Sequence, residues 1–171
     1  SRRRHTRYIS VTGVQTCALP ICVEAPPPEV HRVSLPEGKL QGVGIADDMA
    51  VFIDLDRTQP RRGDLVEAWM LVVLKPAVRI DGSSYDMVET VARSEFNCRD
   101  RTHRDLGVTG FDEEGRLVLW LAEEKAARPD EPDSTMDMIS AVVCRGEPAK
   151  GPVFTGHKAA LEGGRRDIGR I

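Results

Sequence analysis

Apolar positions along this chain fall in short runs broken by polar turns, the rhythm of strands rather than of helices. Residues 49–55 (MAVFIDL) make the first strong strand signal, and the polar run 59–64 (QPRRGD) turns the chain after it. Residues 65–74 (LVEAWMLVVL) are apolar on both faces, which predicts a central strand covered on each side. Pro76 ends that strand, and Asp81-Gly82-Ser83-Ser84 forms a loop. Over 87–98 the alternation is cleaner, with Ala92, Ser94, Phe96 and Cys98 on one face and Glu89, Val91, Arg93 and Glu95 on the other, a strand with one wet face. Residues 104–111 and 116–121 flank Asp112-Glu113-Glu114-Gly115, a hairpin turn with glycine where a positive φ is needed. Short links between successive strands make the sheet mostly antiparallel.

A 3.6-residue period appears late. Ser134 precedes Asp137 by three residues, close to a capping box, and Pro132 blocks helix upstream. Met136, Ile139 and Val143 then share one face, and the helix ends around Cys144, before Gly146 and Pro148. Residues 147–171 contain Gly163-Gly164-Arg165-Arg166 and show no apolar periodicity, which predicts a disordered tail. The fold class expected is α+β: an antiparallel sheet of four to six strands with a C-terminal helix packed on it.

The first residues change how charge must be counted. Residues 1–21 resemble the translation of a short-read sequencing adapter: 1–7 and 11–21 match its two constant blocks, and Tyr8, Ile9 and Ser10 fall where its variable index lies. Residues 1–22 are therefore expected to be non-native, and 23–35, with the run Ala25-Pro26-Pro27-Pro28-Glu29, to be an extended, solvated leader. Setting aside Arg2, Arg3, Arg4 and Arg7 takes 24 Lys+Arg to 20 against 27 Asp+Glu, so the formal charge moves from −3 to −7. An acidic domain argues against a general phosphate-backbone binder, although Arg57, Arg61 and Arg62 could form a local basic patch. No apolar run approaches the length of a membrane span.

Candidate chemistry is sparse. His31, His103 and His157 are scattered, without metal-ligand spacing, and read as surface or turn histidines. Asp54 and Asp56 could pair as carboxylates on one strand face, but a solvated acidic edge is the commoner arrangement, and Asp47-Asp48 reads as a turn. There is no G-x-S-x-G, Gly42-Val43-Gly44-Ile45 lacks the third glycine of a dinucleotide site, and Ser83 and Ser84 have no evident base. Trp69 and Trp120 sit mid-strand and read as sheet packing. No catalytic, cofactor-binding or metal-binding residue is therefore assigned, and no cofactor is expected. Cys98 and Cys144, each closing an element, fit a bridge from sheet to helix or two unrelated buried thiols, and their spacing leaves both open.

Taken in order, Val51 to Thr58 (VFIDLDRT), Gly63 to Trp69 (GDLVEAW), Phe96-Asn97-Cys98, the Asp112 to Gly115 hairpin, Pro132-Asp133-Ser134 and Val142-Val143-Cys144 resemble the surface-adhesin protein E family. Asn97 stands where the family usually has Asp, Arg57-Thr58 replaces Ser-Ile, and Arg128-Pro129-Asp130-Glu131 lacks the usual aromatic before the Pro-Ser turn. The resemblance implies an antiparallel sheet with helices against it over 36–146, a Cys98–Cys144 disulfide, export from a Gram-negative cytoplasm to the periplasm or cell surface, and no known catalysis. It also implies a binding or envelope-associated role toward an unknown protein ligand, with no nucleic-acid partner. An exposed strand edge would permit a homodimer. The competing expectation is a cytosolic enzyme or regulatory domain with two free thiols.

Overall fold

The computed structural model describes residues 34–46, 48–82 and 84–168. The expected adapter-derived segment, the proline run of the leader, His31, Asp47 and Ser83 lie outside the described residues.

The strands are β1 (Lys39–Ile45), β2 (Met49–Asp54), the short β3 (Gln59–Pro60), β4 (Leu65–Arg79), β5 (Asp86–Asn97), β6 (Thr102–Phe111), β7 (Leu117–Leu121), the short β8 (Arg128–Pro129) and β9 (Val153–Thr155). Helices α1 (Thr135–Arg145) and α2 (His157–Asp167) complete the domain. The sheet runs β7-β6-β5-β4-β2-β1-β9, with β3 paired to β4, β8 paired to β6, and antiparallel pairing throughout. The sheet is mostly antiparallel as expected, but the nine strands among the described residues exceed the four to six predicted: β1 and β9 add one edge, and β3 and β8 are two-residue additions.

As its two-sided apolar run requires, β4 lies centrally and is covered on both faces. Its even-numbered residues Ala68 and Met70 join Val51, Ile53, Ala92 and Phe96 beneath Ile139 of α1. Its odd-numbered residues Leu71 and Val73 join Leu40, Ala50, Phe52, Val91 and Phe111 beneath Ala160 and Leu161 of α2. Pro76 does not end the strand. Pairing breaks between Val73 and Val78 and resumes at Val78 opposite Met87, so the proline, which has no N–H for the ladder, is accommodated in a bulge.

Ser134 caps α1, its Oγ accepting from the Asp137 N–H at 3.1 Å, and Gly146 closes the helix in the left-handed region at φ 65°. The last turn of α1 is joined to the β5–β6 turn by the Cys98–Cys144 disulfide, with Cα atoms 5.2 Å apart.

Of residues 147–171, expected to be a disordered tail, the described part, 147–168, instead supplies β9 and α2. The reason is the glycine pair that argued against order. A Cβ at Gly163 would lie 2.2 Å from the Phe154 ring, and one at Gly164 would lie 3.2 Å from both Ala50 and Phe52. Only glycine lets this helix come so close to the sheet. The cover it provides also corrects the wet-face expectation for β5, because Glu89 and Val91 are fully buried while Arg93 and Glu95 stay half-buried.

Candidate functional site

On the α2 face the apolar row stops after Leu71 and Val91, and charged side chains take over in register. Trp69 lies opposite Arg93, Glu67 opposite Glu95, and Glu95 opposite Arg104 of β6. The end of β2 sets the geometry. Asp54, 2% exposed, accepts from the backbone N–H groups of Asp56 (3.0 Å) and Arg57 (3.1 Å) and from Arg57 Nε (2.5 Å). This buried carboxylate folds the turn back and lays the Arg57 guanidinium over the Trp69 ring, 4.5 Å from its centroid.

Trp69 is held at its other polar points as well. Its backbone N–H donates to Thr58 Oγ1 (3.2 Å), and its indole N–H donates to Glu67 Oε1 (3.1 Å). The second oxygen of buried Glu67 takes a hydrogen bond from Arg61. Arg93 approaches the same ring at 5.7 Å and, among the described residues, has no carboxylate partner. Arg104 is bound by Glu95 and Glu123, each at 2.8 Å.

The result is a rigid, half-buried tryptophan flanked by two guanidiniums, one paired with Asp54 and one without a carboxylate partner among the described residues. Because Asp54, Glu67, Glu95 and Glu123 offset the arginines, the face lacks the excess positive charge of a phosphate-binding stripe. The basic patch conceived from Arg57, Arg61 and Arg62 is thus neutralised at its first two members. Trp69 was legible only as a packing residue; its arginine clamp arises from register between β4 and β5 and from the β2 turn.

The other candidates separate in space. His103 is not a surface histidine: it is 6% exposed, and its Nδ1 lies 2.7 Å from Asp130 Oδ1. That pair ties β8 to β6, and the Ser134 hydroxyl nearby is engaged as the α1 cap. His157 opens α2, where burial lowers its pKa below the usual histidine value despite Glu37 at 3.8 Å. Asp54 and Asp56 do not share a strand face as a carboxylate pair, and only Asp56 is solvated. Asp54 is buried, and Asp56 sits in the following turn, accepting from the Lys39 N–H at 3.0 Å. Gly42 and Gly44 lie within β1, and Gly42 is packed against Gly151 and Pro152. Trp120 lies on the edge strand β7, opposite Thr109. Among the described residues, no group of three or more His, Cys, Asp or Glu is placed to hold a metal ion. Among the same residues no helix is long and apolar enough to cross a membrane.

Asn97 carries the β5–β6 turn. Its Oδ1 accepts from the N–H groups of Arg99 (3.1 Å) and Asp100 (3.2 Å), and its Nδ2 donates to Asp100 Oδ2 (2.8 Å). An aspartate could make the first two bonds but not the third. Both Asn97 and Arg57, two departures from the family pattern, therefore have definite work in this structure.

Comparison with known proteins is consistent with this architecture. No curated protein sequence matches the chain. Among solved structures, crystal form II of Haemophilus influenzae protein E is similar at 18% identity and TM-score 0.50, over 71% of this chain and 94% of that one. A second structure of Haemophilus influenzae protein E has 18% identity and TM-score 0.48, over 71% and 91%. Protein E from non-typeable Haemophilus influenzae has 18% identity and TM-score 0.46, over 81% and 94%. The model of the surface-adhesin protein E family matches residues 40–145, from the buried start of β1 through the disulfide to the end of α1. This chain belongs to the surface-adhesin protein E family.

Proposed function

We propose that this chain is an exported, non-enzymatic binding domain that engages an envelope or extracellular protein through the open part of its α2-side sheet face. The observation that carries the reading is Trp69, held immobile by Thr58, Glu67 and Arg57 beside an Arg93 guanidinium that, among the described residues, has no carboxylate partner. Tryptophan and arginine held rigidly are the side chains that most often dominate protein interfaces, because little conformational freedom is lost when they are buried. Family membership supports adhesin-type binding, and the disulfide supports an oxidising destination. The neutralised charge of the face and the acidic chain favour a protein ligand over nucleic acid.

The test is solid-phase binding of the oxidised domain to a panel of purified envelope and extracellular proteins, followed by Arg93→Ala and Trp69→Leu. The expected outcome is a saturable ligand whose affinity falls at least about tenfold with either substitution, the size of a hot-spot truncation. A ligand bound equally well by both variants would move the contact face elsewhere. Cell fractionation that finds the native product in the cytoplasm with two free thiols would overturn export.

A further inference from the structure

On the sheet face that α2 covers, beside Arg165 of the helix, lies a buried carboxylate with no hydrogen-bond partner among the described residues for one of its oxygens. Glu89 points from β5 to the α2 side, between Val73 of β4 and Phe111 of β6, and it is 2% exposed. Its Oε2 is buried without a hydrogen bond among the described residues. The charged groups that face it are Arg165 from α2 and Glu113 from the β6–β7 turn. Arg165 is committed elsewhere, its two terminal nitrogens binding the Glu113 carboxylate at 2.6 and 2.7 Å, while Lys75 of β4 donates to the Arg165 carbonyl at 3.0 Å.

The helix itself is weakly built. Its N-cap is Gly156, with no side-chain hydrogen bond, and Gly163 and Gly164 occupy its interior. Each interior glycine costs about 1 kcal/mol relative to alanine, so docking rather than propensity holds α2 in place. What docking covers is apolar: Ala50, Phe52, Leu71 and Val73 lie beneath Ala160 and Leu161.

We propose that α2 is a pH-sensitive cover, docked while Glu89 is protonated and shifted toward an undocked state, with Phe52, Leu71 and Val73 uncovered, as Glu89 ionises. The direction follows from burial. A carboxylate beneath the helix loses its hydration, and only undocking restores it. Burial pushes the Glu89 carboxyl from 4.5 up to about 7, with Arg165 opposing and Glu113 reinforcing the shift. The arrangement places the titration close to neutrality, between acidic and mildly alkaline surroundings.

The experiment is hydrogen exchange with mass spectrometry on the oxidised full chain between about pH 5.5 and about pH 8, corrected for intrinsic exchange. With the carboxyl ordinary in the undocked state, the opening constant of α2 amides rises about 30-fold over that interval, while β4 and β5 amides show no matching change. Glu89→Gln, with Glu89→Leu as a second neutral variant, abolishes that rise. Parallel pH dependence in wild type and both variants would overturn the proposal. So would α2 amides that exchange only together with β4 and β5, because α2 would then not open as a separate unit.

Discussion

Removing the Cys98–Cys144 bridge by the double substitution Cys98→Ala/Cys144→Ala probes how the two layers are held together. The cysteines are separated by 46 residues, and both are only half-buried, so their truncation leaves little cavity. In the chain-entropy model a closed loop of that size restricts the unfolded chain by about 13 cal/mol/K, or about 4 kcal/mol at room temperature. For a domain of this size that corresponds to a fall in Tm of roughly 12–20 °C. Urea denaturation of the oxidised protein and the double variant measures it directly. The midpoint should drop and the slope m should rise, because the uncrosslinked unfolded chain exposes more surface. A stability change below about 1 kcal/mol with unchanged m would refute the reasoning, since it would mean the unfolded chain is not restrained by the bridge. Loss of exchange protection confined to α1, with global stability intact, would instead show that the bridge acts locally on the native helix.

Gly163→Ala should destabilise the domain by about 1–3 kcal/mol, because its Cβ would lie 2.2 Å from the Phe154 ring, and thermal melts would show it. Asn97→Asp should cost about 1 kcal/mol near neutral pH by replacing the bond to Asp100 with a repulsion, and the loss should shrink in acid, as melts at two pH values would show. His103→Ala should destabilise by about 3 kcal/mol in chemical denaturation by leaving buried Asp130 without its side-chain partner. The pH dependence of stability should carry the mark of Glu89. Its pKa is raised on folding, so its contribution is complete below about 4.5 and is lost as pH rises through about 7. Glu89→Gln should therefore match wild type in acid and exceed it by up to about 3 kcal/mol at pH 8, a difference that denaturation curves across pH would measure.

The chain by itself determined the central sheet and the capped helix. Residues 65–74 carry apolar side chains on both faces, so they had to lie between two covering layers, and Ser134 with Asp137 marked the start of α1 by local hydrogen bonding alone. The hairpin at Asp112 to Gly115 was legible for the same reason: Gly115 takes φ 76° and Asp112 Oδ1 binds the turn N–H groups. Such features depend on residues a few positions apart. What only the tertiary structure decided depends on contacts between distant segments. α2 was hidden because Gly163 and Gly164 lower helix propensity, and their value appears only when Phe52 and Phe154 lie against them. Strand β1, with glycines at 42 and 44, packs Gly42 against Gly151 and Pro152, a closeness no local pattern announces. Glu89 is buried on the sheet face that α2 shares, and the arginine clamp on Trp69 follows from strand register joined to a turn built on Asp54. Propensity and periodicity describe how a segment behaves alone, whereas burial and charge pairing are properties of the neighbours that folding brings to it.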